Sequence, residues 1–124
     1  MKMIIEEIVR EYLSEQLDVP VLMELPEAPS ERFHKTPRRF VVLEKVGGGM
    51  ADYIGRASIA AQSYSLISLY DAAELDDAVK AAMLGIVARP EISGVQLASN
   101  YNHTDTRSKR YRYQSVFEIY YKEA

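Results

Sequence analysis

Two histidines, His34 and His103, are the first residues to weigh for chemistry, and both fall in polar, loop-like stretches. No H-E-x-x-H pair occurs, so no helix presents two imidazoles to a zinc ion. A lone loop histidine reads as solvated surface. Gly47-Gly48-Gly49-Met50 has the glycine density of a phosphate cradle, but no Gly-Lys-Ser/Thr follows and no helix opens there. The run reads instead as a tight hairpin reversal. No serine stands in a G-x-S-x-G elbow. Asp76-Asp77 and Glu6-Glu7 are adjacent carboxylates on helix surfaces. Neighbours on a helix point about 100° apart, so neither pair can chelate a metal alone or share a proton. Asn102-His103-Thr104 matches a glycosylation sequon, which matters only to a secreted chain. Cysteine is absent, which removes disulfides, zinc–thiolate sites, iron–sulfur clusters and cysteine nucleophiles. The expectation is no enzyme, with no catalytic residue, cofactor or metal.

Two clusters remain. Five of the nine tyrosines, Tyr101, Tyr111, Tyr113, Tyr120 and Tyr121, lie in residues 101–124. Tyrosines on a sheet usually serve as half-buried packing. Tyr120, however, falls on the face opposite Phe117, Ile119 and Tyr121. A sheet with aromatics on both faces needs a second cover, and a neighbouring subunit is the economical one. The other cluster is Arg107, Lys109, Arg110 and Arg112 beside these tyrosines. Base interleaved with aromatics is the pattern of single-stranded nucleic-acid binding. The net charge of −3 argues against it, since such modules are strongly basic.

The elements that position these residues follow from periodicity. Residues 3–17 read as an amphipathic helix, with Ile5, Ile8, Val9, Tyr12 and Leu13 on one face. Asp18 and Pro20 stop it. Residues 21–25 fit a brief strand. Residues 26–37 carry three prolines and form a long loop, either mobile or used for contact. Phe40 to Val46 reads as a buried strand, and residues 53–69 as a longer one rich in small side chains. Such side chains let a helix lie close on a sheet. Asp71-Ala72-Ala73-Glu74 has the form of a capping box. Leu75, Ala78, Val79, Ala82, Met83 and Ile86 then make an apolar stripe for a helix over 72–87. Residues 92–102 and 110–122 read as a closing hairpin, the second with period-two alternation.

The order is thus α-β-β-β-α-β-β. The expected fold is α+β: a mostly antiparallel or mixed sheet with both helices packed on one face. With 124 residues, 48% hydrophobic and 27% charged, the chain fits one domain, 1–124, and one core. No run approaches the roughly 18–20 apolar residues of a membrane span. The start turns acidic too soon for a signal peptide, so maturation in a cytoplasm is expected. Charge is segregated. Residues 1–31 hold two basic and eight acidic side chains, and residues 32–56 hold six basic and two acidic. This reads either as ordinary solvated faces or as complementary surfaces that meet between subunits.

The order of elements, with three segments, resembles the tail-terminator (tail-completion) proteins of long-tailed, non-contractile phages and prophages. The segments are Phe40-Val41-Val42-Leu43-Glu44-Lys45-Val46-Gly47-Gly48-Gly49, Ala61-Gln62-Ser63-Tyr64-Ser65, and Ala73-Glu74-Leu75-Asp76-Asp77-Ala78-Val79. The run from Tyr111 to Ile119 fits the closing strand of that family. The resemblance implies a non-enzymatic structural protein forming a homo-oligomeric ring, commonly a hexamer. Such a ring caps the tail tube and offers a surface to the head connector. Its partners would be itself, the tail-tube protein and a head-completion protein, with no membrane and no specific nucleic acid. Assembly would take place in the host bacterial cytoplasm, ending in the tail or neck of the virion. The loops at 31–39 and 102–110 become contact surfaces, through Arg32, His34, Lys35, Arg38, Arg39, Arg107, Lys109 and Arg110, with Tyr120 on the sheet. A head-closure or neck protein, or a free-standing ligand- or protein-binding α+β domain, remains the alternative.

Overall fold

The computed structural model describes residues 4–25, 37–51, 54–104 and 110–122, apart from the side chains of Met50 and Ala51. Helix α1 spans Ile5–Gln16, and its Ile5, Val9, Tyr12 and Leu13 are buried at helical spacing. It ends where Leu17 turns extended. The two-residue strand β1, Val21–Leu22, pairs parallel with β2, Arg39–Ala51. β2 runs antiparallel to β3, Ile54–Ser65. Helix α2, Leu69–Leu84, follows, then a 3-10 turn at Ile86–Ala88. Strands β4, Ile92–Asn102, and β5, Tyr111–Lys122, close the chain. The sheet order is β1-β2-β3-β5-β4, with every pairing except β1–β2 antiparallel. The architecture is therefore the expected α-β-β-β-α-β-β with a mixed sheet.

Both helices cover one face. Val9 and Leu13 of α1, and Leu75, Val79 and Met83 of α2, meet Val41, Leu43, Ala57, Ile59, Ala61, Phe117 and Ile119 in one core. Burying each of the larger side chains stabilises by roughly 1.5–3 kcal/mol. The Tyr12 hydroxyl donates to the Ala82 carbonyl at 2.8 Å and ties α1 to the end of α2. On the other face, Leu22, Phe40, Val42 and Tyr64 form a small separate cluster. Phe40 and Tyr64 stack there with centroids 4.9 Å apart.

Four expectations need correction. The three glycines are not the hairpin reversal. Gly47, Gly48 and Gly49 lie inside β2, paired with Ser58, Ala57 and Arg56, and none has a positive φ. A register shift between Lys45 and Gly47 absorbs Val46 as a bulge. The ladder continues to Ala51 opposite Ile54, so the connection falls at 52–53, outside the described residues. β3 ends at Ser65, not at 69. The cap of α2 is Ser68, whose hydroxyl accepts from the Asp71 amide at 3.0 Å. The same S-x-x-D logic thus operates three residues earlier than the Asp71–Glu74 reading. Exposed Leu69 and Tyr70 concealed that start, because they break the apolar rhythm. Finally, Ala78 is exposed and Asp76 takes its place in the buried stripe.

Gly55 faces Tyr121 across the β3–β5 ladder, and a Cβ there would sit 2.3 Å from the tyrosine ring. That ring is itself buried. Gly55→Ala is expected to lower stability by roughly 1–3 kcal/mol through overpacking. Gly49→Ala, whose Cβ would meet nothing within 4 Å, should leave stability unchanged or slightly raised. Urea midpoints of the two variants check this.

Candidate functional site: an assembly surface

Asp76 is the polar group the sequence misplaced. Its side chain is 2% exposed, while that of Asp77 is 77% exposed. Adjacent helical positions do diverge, but one of them points into the core. The Ser115 hydroxyl donates to Asp76 Oδ1 at 2.7 Å, and Asn100 Nδ2 donates to Oδ2 at 2.9 Å. Lys80 Nζ lies 3.3 Å from Asp76 Oδ2 and 3.0 Å from Asp77 Oδ1. The Asp77 hydrogen bond, reinforced by Asp76 and opposed by burial, holds the Lys80 ammonium above its ordinary value of 10.5. A raised lysine contributes stability that is complete below its unfolded value. That contribution is lost only in strong alkali, as pH rises through the folded value.

Asn100 reaches this site through an irregularity of β4. Leu97 pairs with Phe117 and Ser99 with Val116, so a bulge intervenes and Asn100 comes opposite Ser115. Without the extra residue, Asn100 would face away from α2. The cluster fastens α2, β4 and β5 together. Its donors and acceptors are consumed by one another, which suits a structural polar network.

The face without helices carries a second network. Gln62 Nε2 donates to Gln114 Oε1 at 2.9 Å, and Gln114 Nε2 donates to the Tyr101 hydroxyl at 2.6 Å. Ser58 donates to Glu118 at 2.6 Å. These are directly opposed cross-strand pairs. Such a ladder suits an antiparallel face open to water. Tyr120 does lie on this face, half-buried with Gly94 and Arg56 opposite it. Its neighbours are nevertheless polar, so the need for a cover moves from the face to the edges.

The edges are unequal. Among the described residues, β1 shields only Val41 and Val42 of β2. β4 forms the other edge over eleven residues with no charge and no proline. It exposes Leu97 and Tyr101. Natural edges of that length usually carry lysine or proline to discourage pairing with other chains. The two bulges of β4 are its only such device.

The expected interface residues separate into two groups. Arg32, His34, Lys35, Arg107 and Lys109 lie outside the described residues. Arg38, Arg39 and Arg110 come together at one end of the sheet. Arg39 pairs with Ser65 and Ser65 with Tyr111, so Arg38, Leu66 and Arg110 stand just beyond that row. Arg39 also forms an ion pair with Asp71 at 3.0 Å. Arg112, weighed above for nucleic acid, is spent internally. It donates to the Tyr64 hydroxyl at 2.8 Å and to the His103 carbonyl at 2.9 Å, and its guanidinium lies over the Tyr64 ring. His103 is exposed beside Tyr101. Among the described residues no three His, Asp or Glu side chains converge as a metal site. No helix among them is long and apolar enough to cross a membrane.

Sequence reasoning missed Leu66, Ile67, Leu69 and Tyr70, because the first three were read as the end of a strand and Tyr70 fell between that strand and the helix. All four are exposed. Their signal was present as four large apolar residues around the capping Ser68.

Together these features define a small α+β fold with one helix-covered face, an opposite face that joins polar cross-strand pairs to the Phe40–Tyr64 cluster, and a long β4 edge that is free among the described residues. No family model matches the chain, and no curated protein does. Among solved structures, a chain described as "Virion of native gene transfer agent (GTA) particle" superposes with a TM-score of 0.63 at 14% identity. The match spans 93% of this chain and 94% of that one. The likeness is one of fold.

Asp76→Ala is expected to cost about 3–5 kcal/mol, because it strips the partner from Asn100, Ser115 and Lys80 within a buried site. Asp77→Ala, at the exposed neighbour, should cost at most about 1 kcal/mol. Chemical unfolding of the two variants side by side measures the difference.

Proposed function

We infer that this chain is a non-enzymatic structural subunit of a phage-like virion, and within that class a tail terminator. Its copies form a ring, six in the simplest case, that caps the finished tail tube and presents a surface to the head connector. The observation that carries this reading is the fold shared, end to end, with a chain of a virion particle. Two features support it. The buried polar groups of Asp76, Asn100 and Ser115 are consumed in holding α2 to the sheet. The β4 edge is long, uncharged and unpaired among the described residues.

In this reading the subunit works by surface alone. The β4 edge, with Tyr120 on the adjacent β5, faces a neighbouring copy. The cations at the sheet end, Arg38, Arg39 and Arg110, contribute to contacts, and so do Arg32, His34, Lys35, Arg107 and Lys109. The tail-tube protein and the head-completion protein are the other partners. Assembly takes place in the host bacterial cytoplasm and ends in the neck of the virion. A head-closure protein would share the fold likeness, and the tube assay below separates the two.

Purified protein mixed with tail tubes is expected to appear in negative stain as a ring at one tube end. Tubes capped in this way should not elongate further. Rings that bind only the head connector, or a persistent monomer that leaves the tubes bare, would overturn the terminator reading. Leu97→Lys should weaken self-association in light scattering while leaving the thermal midpoint within a few degrees of the parent.

A further inference from the structure

The connection from β3 into α2 is unusual for an exposed surface. Leu66, Ile67, Leu69 and Tyr70 are 37%, 49%, 39% and 75% exposed around the single polar residue Ser68. The Leu66 amide donates to the Arg38 carbonyl at 2.8 Å, which places Arg38 at the rim of this patch. Arg110 stands on the other side of Leu66, one position before Tyr111, the partner of Ser65. Asp71 is occupied by Arg39 and Ser65, and Glu74 is engaged by the Tyr70 hydroxyl. The sheet end thus offers an apolar centre with a cationic rim.

A complementary surface exists on the same chain. Glu7, Glu11 and Glu15 occupy i, i+4 and i+8 of α1 and share its outer face. Like charges at that spacing repel one another along the helix. Arg10 relieves Glu7 and Arg89 relieves Glu11. None of the described ion pairs joins this stripe to the cationic rim. Ile4, at the head of the stripe, is an exposed apolar side chain.

We propose that the patch at the sheet end docks on the acidic outer face of α1 of a second copy of this chain. This rests on the homo-oligomeric reading above and names the surfaces that meet. The two surfaces differ, so the contact is head-to-tail, and each copy keeps one of each free to continue the assembly. A rotation that closes gives a ring. Arg38 and Arg110 bracket the apolar centre and pair with the carboxylates, while Leu66, Ile67, Leu69 and Tyr70 exclude water from the contact. Charge sets the partner and the orientation.

Complementary charge reversal tests this. Arg38→Glu/Arg110→Glu and Glu11→Lys/Glu15→Lys are each expected to raise the concentration at half-association roughly ten-fold or more. Association is read by light scattering, with circular dichroism to confirm that each subunit folds. Mixing the two variants should restore association between unlike subunits. Should a reversed variant fail to fold, Arg38→Gln/Arg110→Gln carries the same expectation. Two results overturn this interface while leaving the ring intact. One is parental association by the arginine variant. The other is a ring that forms normally from that variant but no longer binds tail tubes, which would assign the patch to the tube. Parental protein that never self-associates, alone or on tubes, overturns the ring itself.

Discussion

The close seating of α2 on β3 and β5 is the constraint from which the rest of the fold follows. On the face that α2 covers, β3 and β5 carry buried small side chains at Ala61, Ser63, Ser65 and Ser115. The bulkier Ile59, Phe117 and Ile119 share one core with Leu75, Val79 and Met83 of the helix. Polar side chains buried at that depth are costly unless a protein group pairs with them, and Ser63 Oγ is buried without a partner among the described residues. Asp76 finds Ser115 and Asn100, and Asp71 finds Ser65 and Arg39. The two carboxylates therefore fasten the helix at two points, one toward each side of the sheet.

This seating makes the sheet one-sided. The covered face is apolar and closed by two helices, whereas the open face is held by cross-strand amide, hydroxyl and carboxylate pairs. An open antiparallel face of that kind is stable in water, and its ladder flattens and orders the side chains that remain visible. Two margins expose apolar groups: the β4 edge on one side, with Leu97 and Tyr101, and the Leu66–Tyr70 turn at one end. In the proposed ring these margins, with Tyr120 beside the β4 edge, are where subunits meet.

The same geometry separates charges that the chain carries close together in sequence. The acids of α1 and the bases around Arg38 lie in the same third of the sequence, yet no ion pair among the described residues connects them. Local pairing, such as Arg10 with Glu7 and Arg89 with Glu11, neutralises only part of each surface. Surfaces that stay polarised in this way steer association more than they strengthen a subunit.

Periodicity alone determined the number, order and type of elements. Alternation in residues 111–122 and the apolar repeat in α1 depend on neighbours a few positions away, and such local rules survive folding. Composition likewise set one domain and one core. What the sequence could not reveal depends on partners distant along the chain. Gly47 to Gly49 look like a turn by type, but β3 supplies a ladder that keeps them extended. Ser68 caps α2 where Asp71 seemed the better candidate, because Asp71 is claimed by Ser65 and Arg39. Asp76 looks like surface beside Asp77 until a bulge in β4 swings Asn100 beneath it. In each case the local preference was weak, and a tertiary contact worth more than that preference decided the outcome.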